Sequence, residues 1–129
     1  MNSDQNKVQV MRTLWGALLM SHCLFIYLTI NYLHSESAVG PDDMMMKILP
    51  FMAFIAAIAS FLINRKAQVQ KTFDQYFVFS ILSCALAESV HIFGIVGIVL
   101  SLPLNYYFSF AASGIALHLY YFPRKYPAE

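Results

Sequence analysis

Residues 76–102 read YFVFSILSCALAESVHIFGIVGIVLSL, and Glu88 is the one charged side chain in this run. An α-helix rises about 1.5 Å per residue, so about 20 apolar residues cross the ~30 Å hydrocarbon core of a bilayer. The run therefore predicts a transmembrane helix with a carboxyl group close to its middle. An ionised carboxylate at that depth costs roughly 2.5–3.5 kcal/mol, so we expect Glu88 to have a proton, a partner or a function.

The whole chain is too apolar for a soluble domain of its size. Of its 129 residues, 59% are hydrophobic and 12% are charged, whereas soluble domains have about 25% charged residues. We therefore predict an integral membrane protein, with residues 1–129 as a single membrane domain and the lipid bilayer as its surroundings. The net charge of +1 gives no argument for nucleic acid as a partner.

The apolar runs predict four helical spans, over approximately residues 13–33, 44–63, 76–102 and 104–122. Backbone groups in hydrocarbon must form hydrogen bonds within their own helix, which excludes isolated strands. The short polar segments between the runs leave no room for a soluble catalytic domain, and the sequence has no G-x-x-x-x-G-K-[ST], H-E-x-x-H or G-x-S-x-G motif. The sequence predicts an all-α polytopic four-helix membrane bundle that is not an enzyme.

The distribution of Lys and Arg orients these spans. Seven of the eight Lys and Arg residues fall in residues 1–12, 64–74 and 123–129, and the remaining one is Lys47. Because cytoplasmic segments are enriched in Lys and Arg, both termini and the middle loop are predicted to be cytoplasmic. We expect a multi-pass protein of the bacterial inner (cytoplasmic) membrane.

A weak internal repeat is visible. Residues 14–30 match residues 82–98 at several positions, and residues 51–62 match residues 108–119. The pattern allows two parallel-repeat hairpins, as in some transporters, although apolar helices also share letters by chance. In this register Met20 occupies the position of Glu88, so one copy alone holds the carboxylate.

Small residues three or four positions apart indicate where helices approach each other closely. Such spacing occurs in the second, third and fourth predicted spans. The predicted helix-packing residues are Ala53, Ala57, Ala56, Ser60, Ala112, Ala116, Gly94 and Gly97.

A polar stripe runs along the third predicted span. Residues three or four apart share a helix face, so Cys84, Glu88 and His91 lie on one stripe. Together with His22 of the first span, Cys84 and His91 are candidate partners of Glu88 in an ion or proton site. One hypothesis is that Glu88 carries a proton or cation. The alternative is a structural or assembly subunit in which neutral Glu88 donates a hydrogen bond between helices.

Residues 85–89 read ALAES and residues 92–96 read IFGIV. This segment resembles the carboxylate helix of the c subunit (proteolipid) of rotary ATP synthases, which reads A-x-x-E-[AS]-x-x-I-[YF]-G-[LI]-V. The likeness extends loosely over residues 48–102. It implies that Glu88 is an ion-carrying carboxylate, and that further copies of the chain or other membrane subunits are its partners.

The chain also differs from that family. The partner helix of the c subunit has a G-x-G-x-G-x-G run, where this chain has alanines, Ser60 and no glycine. The first and fourth predicted spans have no counterpart in a two-helix c subunit. As a whole, the chain looks like a small four-span membrane protein with a proteolipid-like motif.

Histidine suggests a third hypothesis. His22 and His91 fall near the middle of their predicted spans, where two histidines could ligate haem b axially. His118 is expected to lie too close to the cytoplasmic end to reach that level. No other cofactor and no metal are predicted, and a haem-binding membrane anchor is the second alternative function.

Overall fold

The computed structural model describes residues 3–33 and 43–123, which form four α-helices and no strand. Helix α1 spans Ser3–Leu28 and continues as a π-helical segment, Thr29–Leu33; α2 spans Met45–Ala67, α3 Phe73–Val99 and α4 Leu104–Tyr120. The all-α prediction is confirmed for this part of the chain. Three helical segments, Asn6–Leu33, α2 and α3, are long and apolar enough to cross a membrane, whereas α4 has 17 residues.

The helices extend beyond the apolar runs. Helix α1 begins at Ser3 rather than at residue 13, and α2 continues to Ala67 rather than ending at residue 63. Polar and charged residues are compatible with a helix even where they are incompatible with hydrocarbon, so an apolar run does not mark the helix ends. Helix α3 begins at Phe73 because the Thr72 hydroxyl accepts a hydrogen bond from the backbone N–H of Gln75.

A compact turn ends α3 before the predicted boundary at residue 102. Ser101 has a φ of 64°, and its N–H donates to the carbonyl of Ile98 at 3.0 Å. The N–H of Leu102 donates to the carbonyl of Gly97 at 2.8 Å. These two bonds form a Schellman motif with a left-handed residue just after the helix. The turn lets α4 return along α3.

Helix α3 is the central element, because its contacts with α1, α2 and α4 are more extensive than those of any other described helix. Met11 is buried in one cluster with Ala67 and Tyr76, and Arg12 Nε donates to the carbonyl of Pro123 at 3.1 Å. The start of α1, the loop between α2 and α3 and the end of α4 therefore lie at one end of the bundle. Consecutive helices run in opposite directions.

The two-hairpin repeat is not formed by the described helices. Helices α3 and α4 make a packed hairpin, but α1 packs along α3 and α4 and, among the described residues, meets the end of α2 only in the buried cluster of Met11 with Ala67. The reason lies in three polar or aromatic residues of α1. Trp15, Ser21 and His22 have their hydrogen-bond partners on α3 and α4.

The predicted small residues of α2 and α3 lie mostly in helix contacts. Ala53, Ala56 and Ser60 are buried, and Ala57 is half-buried. The Ser60 hydroxyl donates to the carbonyl of Ser83 at 2.8 Å, which joins α2 to α3. Gly94 and Gly97 are buried as well.

The small residues predicted for α4 lie on the wrong face. Ala112 and Ala116 are exposed, and the inward residues are Ala111 and Gly114. Small-residue spacing alone does not fix the helix face, because Ala111 to Gly114 is also a small pair. A Cβ atom at Gly114 would lie 2.9 Å from the carbonyl oxygen of Ala87. Gly114 therefore permits the close approach of α4 to α3.

Candidate functional site

Three histidines from three helices meet inside the bundle. His22 of α1, His91 of α3 and His118 of α4 all have 0% relative exposure. The His22 and His91 rings are stacked with centroids 5.0 Å apart, and His118 meets the His22 ring edge-on at 5.3 Å. We call these three residues the histidine cluster.

Reciprocal hydrogen bonds connect α1 and α4 beside this cluster. Trp15 Nε1 donates to the carbonyl of His118 at 2.9 Å, and His118 Nε2 lies 3.1 Å from the carbonyl oxygen of Trp15. A carbonyl oxygen can only accept, so His118 Nε2 carries a hydrogen. In the neutral ring, His118 Nδ1 then carries a lone pair.

His118 lies in the cluster, although we expected it to miss this level. Helical rise along the backbone alone places His118 too close to the cytoplasmic end, but the direction of its side chain also matters. Every Cα–Cβ bond tilts towards the amino end of its helix. Because α1 and α4 are antiparallel, the His22 and His118 side chains tilt towards each other.

A hydrogen-bonded chain leads from the cluster to Tyr107. His22 Nδ1 and His91 Nδ1 are 2.7 Å apart, and His91 Nε2 lies 2.9 Å from the Tyr107 hydroxyl. Two proton arrangements satisfy both bonds. In the first, Tyr107 donates to His91, which donates to His22. In the second, His22 donates to His91, which donates to Tyr107.

Glu88 lies one turn before His91 on α3 and is half-buried. The Ser21 hydroxyl oxygen lies 2.6 Å from Glu88 Oε1 and also 2.6 Å from the carbonyl oxygen of Leu18. A hydroxyl has one hydrogen, so it can donate fully to one of these acceptors. Ionised Glu88 accepts from Ser21, whereas protonated Glu88 donates to Ser21, which then donates to Leu18. The geometry accommodates both protonation states.

Glu88 and two histidines converge. Ligand-type atoms of His22, Glu88 and His118 all lie within 4.8 Å of one another. His22 Nε2 and His118 Nδ1 are buried and have no hydrogen-bond partner among the residues the structure describes. These three side chains could hold a metal ion.

Cys84 lies outside this convergence. It is buried one turn before Glu88, in a cluster with Ala87 and Tyr121.

The geometry does not favour haem, because axial ligands occupy opposite faces of the iron. An iron does not fit between His22 Nδ1 and His91 Nδ1, which share a hydrogen bond.

Trp15, Ser21 and Tyr107 also belong to the site, and the sequence pattern indicates each of them only weakly. Trp15 and His22 are seven residues apart, which places them on one face of α1. Ser21 precedes His22, and a hydroxyl group on a neighbouring helix is one of the expected partners of Glu88. Tyr107 is one of eight tyrosines, and its contact with His91 depends on how α4 returns along α3.

Comparison of the chain with models of known protein families, with curated proteins and with solved structures finds no match. The function is therefore argued from the site itself.

Proposed function

We propose that the chain is a four-span membrane protein in which Glu88 and the histidine cluster take up and pass a proton. The observation that carries this proposal is the 2.7 Å hydrogen bond between two fully buried imidazoles, which continues to Tyr107. No enzymatic reaction is assigned to the chain.

The outer surface of the bundle supports the membrane assignment. Many large apolar side chains are more than half exposed, which is unfavourable in water but not in hydrocarbon. Examples are Met20, Leu24, Phe51, Phe54, Leu62 and Val78. The shorter α4 runs antiparallel to α3 and packs against it, so we propose that it crosses the bilayer with the other three helices.

The basic end of the bundle supports the orientation. Arg12, Arg65 and Lys66 lie at the end where α1 begins and α2 finishes. By the positive-inside rule this end is cytoplasmic, in a bacterial inner membrane. The exposed apolar faces would contact lipid and, in a larger assembly, further copies of the chain or other membrane subunits.

The two proton arrangements of the hydrogen bonds from His22 to Tyr107 suggest a mechanism. When His22 donates to His91 and His91 donates to Tyr107, the lone pair of His22 lies on Nε2. A proton that arrives at His22 Nε2 lets the Nδ1 proton pass to His91 Nδ1. The Nε2 proton of His91 then passes to the Tyr107 oxygen, and Tyr107 releases its own proton. One proton enters and one leaves, and the hydrogen bonds are left in the other arrangement, in which Tyr107 donates to His91 and His91 donates to His22.

Glu88 is the proposed entry group. It is half-buried, whereas the three histidines are fully buried, and its hydrogen bond to Ser21 accommodates both protonation states. The resemblance of residues 85–96 to the proteolipid helix would imply an ion-carrying role for the same carboxyl group.

Proton flux into vesicles tests this proposal. The purified full-length protein is reconstituted with a trapped pH-sensitive dye, and a potassium diffusion potential drives protons inward. We expect flux with the wild type, flux at the protein-free level with Glu88→Gln, and wild-type flux with Asp74→Asn. Asp74 is an exposed acid in the first turn of the same helix, which makes it a matched control. Equal flux in wild-type and Glu88→Gln vesicles would overturn the proposal.

The structural alternative has one specific observation in its favour. The 2.6 Å distance from Ser21 Oγ to the carbonyl oxygen of Leu18 suits a Ser21 that accepts from protonated Glu88. In that case Glu88 serves only to join α3 to α1. A Glu88→Gln variant would then keep its stability, because an amide can also donate, and neither it nor the wild type would conduct protons.

A further inference from the structure

We infer that His22, Glu88 and His118 form a binding site for a divalent transition metal ion of the zinc class. The inference uses the residues of the proposed proton site but does not depend on proton passage. It starts from the two buried nitrogens without partners, His22 Nε2 and His118 Nδ1. A buried polar atom without a partner is unfavourable, and an ion between these nitrogens and Glu88 would satisfy both.

The hydrogen bond of His118 leaves the correct nitrogen for a metal. Its Nε2 donates to the carbonyl of Trp15, so the lone pair is on Nδ1. Metal-ligating histidines almost always donate their other ring N–H to a carbonyl, carboxylate or water. The Trp15 carbonyl is such an outer partner, and it fixes both the tautomer and the orientation of the ring.

His22 is competent to bind in one of its two arrangements. When His22 Nδ1 donates to His91 Nδ1, the lone pair of His22 is on Nε2, which is the atom without a partner. His91 then donates through Nε2 to the Tyr107 oxygen. An ion would select this arrangement, and His91 would be a positioning residue that does not touch the ion.

The donor set indicates the class of metal. Two imidazoles and one carboxylate suit zinc, iron, nickel or copper, whereas magnesium and calcium take oxygen ligands. Glu88 offsets one of the two positive charges of the ion. It is also the one member of the set that is not fully buried.

The size of the site fits an ion after a small closure. The three ligand-type atoms lie within 4.8 Å of one another. Ligands at about 2.0–2.1 Å from a tetrahedral zinc ion are about 3.3 Å apart. Binding would therefore draw the three side chains together by up to about 1.5 Å.

Cobalt loading tests the site without any measurement of flux. The full-length protein in detergent is stripped with a chelator and titrated with Co²⁺, and the visible bands of four-coordinate Co²⁺ are recorded. Elemental analysis gives the ratio of ion to chain, and added Zn²⁺ should remove the bands. We expect one ion per chain in the wild type.

Substitutions assign the ion to this site. Glu88→Gln and His118→Gln should abolish the cobalt bands, and His91→Asn should weaken affinity by about 10–100-fold, as expected for an outer partner. Cys23→Ser removes an exposed thiol next to His22 and should change nothing. Circular dichroism checks that each variant is folded, and Glu88→Gln decides the case if His118→Gln does not fold.

The inference is overturned if the wild type takes up no saturable Co²⁺, or if its uptake is unchanged in Glu88→Gln and in folded His118→Gln. Metal and proton results separate cleanly. Cobalt bands without proton flux would support the metal site alone, and flux without cobalt bands would support the proton function alone.

Discussion

His22 of α1 and His91 of α3 share one proton between Nδ1 atoms 2.7 Å apart, and both rings are fully buried. Neither ring can lose the other without leaving a buried nitrogen unpaired. This pair joins α1 to α3, and α1 has few other buried residues with which to pack.

Replacement of His91 by phenylalanine keeps a ring but removes both hydrogen bonds. His22 Nδ1 and the Tyr107 hydroxyl would lose their partner, at about 1–3 kcal/mol for each buried group. We expect the free energy of unfolding in detergent to fall by about 2–6 kcal/mol. Ile92→Phe, at the neighbouring exposed position, is the control. A His91→Phe protein as stable as the wild type would show that the bond contributes nothing.

Tyr107 ends the proposed proton chain, and Tyr107→Phe removes only its hydroxyl. We expect proton flux to be lost and stability to fall by about 1–2 kcal/mol, because His91 Nε2 loses its partner. Tyr106→Phe is the matched control, since Tyr106 lies beside it and is half-buried in a different contact. If vesicles with the Tyr107→Phe protein had the wild-type proton flux, protons would not pass along the hydrogen bonds from His22 to Tyr107.

Gly114 lets α4 lie close to Ala87 of α3 and to the ring of His22. An alanine Cβ there would lie 2.9 Å from the carbonyl oxygen of Ala87 and 3.3 Å from His22 Cε1. We expect Gly114→Ala to lower stability by about 1–3 kcal/mol and to weaken cobalt uptake. Gly16→Ala is the control, because nothing lies within 4 Å of its added Cβ. If both alanine variants unfold alike, the close approach of α4 has no energetic role.

Ser101 adopts a left-handed conformation that favours glycine. Its φ of 64° strains a residue with a Cβ atom. Ser101→Gly should raise the free energy of unfolding by about 1 kcal/mol. Ser109→Gly, at an exposed position inside α4, should lower it by about 0.5 kcal/mol. Thermal unfolding compares the two, and shifts of the same sign would contradict the assignment of the turn.

The sequence predicted the parts of this site that depend on one helix. Spacing along α3 placed Glu88 and His91 on one stripe, and the long apolar run indicated a helix, whereas Cys84 of the same stripe packs in a cluster with Ala87 and Tyr121 instead. Contacts between helices were harder, because a histidine or a small residue does not specify which neighbour it meets. His118 was excluded because only its backbone level was considered.

The sequence also did not predict which face of α4 packs against the other helices, for a related reason. Ala112 and Ala116 have the spacing of a packing pair, yet Ala111 and Gly114 occupy the interface. The choice between these faces is made by the contacts of His118 with α1 and of Tyr107 with α3. Those contacts join residues far apart in the chain, so no local pattern reveals them.

Glu88 and the histidine cluster are proposed to lie deep within a bilayer. Cys23 is exposed and adjacent to His22, so it offers a direct probe. With Cys84 replaced by serine, a spin label on Cys23 is reconstituted in lipid, and its collisions with oxygen and with a water-soluble nickel chelate are measured. A label at Val69→Cys, in the exposed α2–α3 loop, is the aqueous reference. We predict frequent oxygen collisions and almost no nickel collisions at Cys23; nickel collisions as frequent as at position 69 would exclude a membrane span at this level of α1.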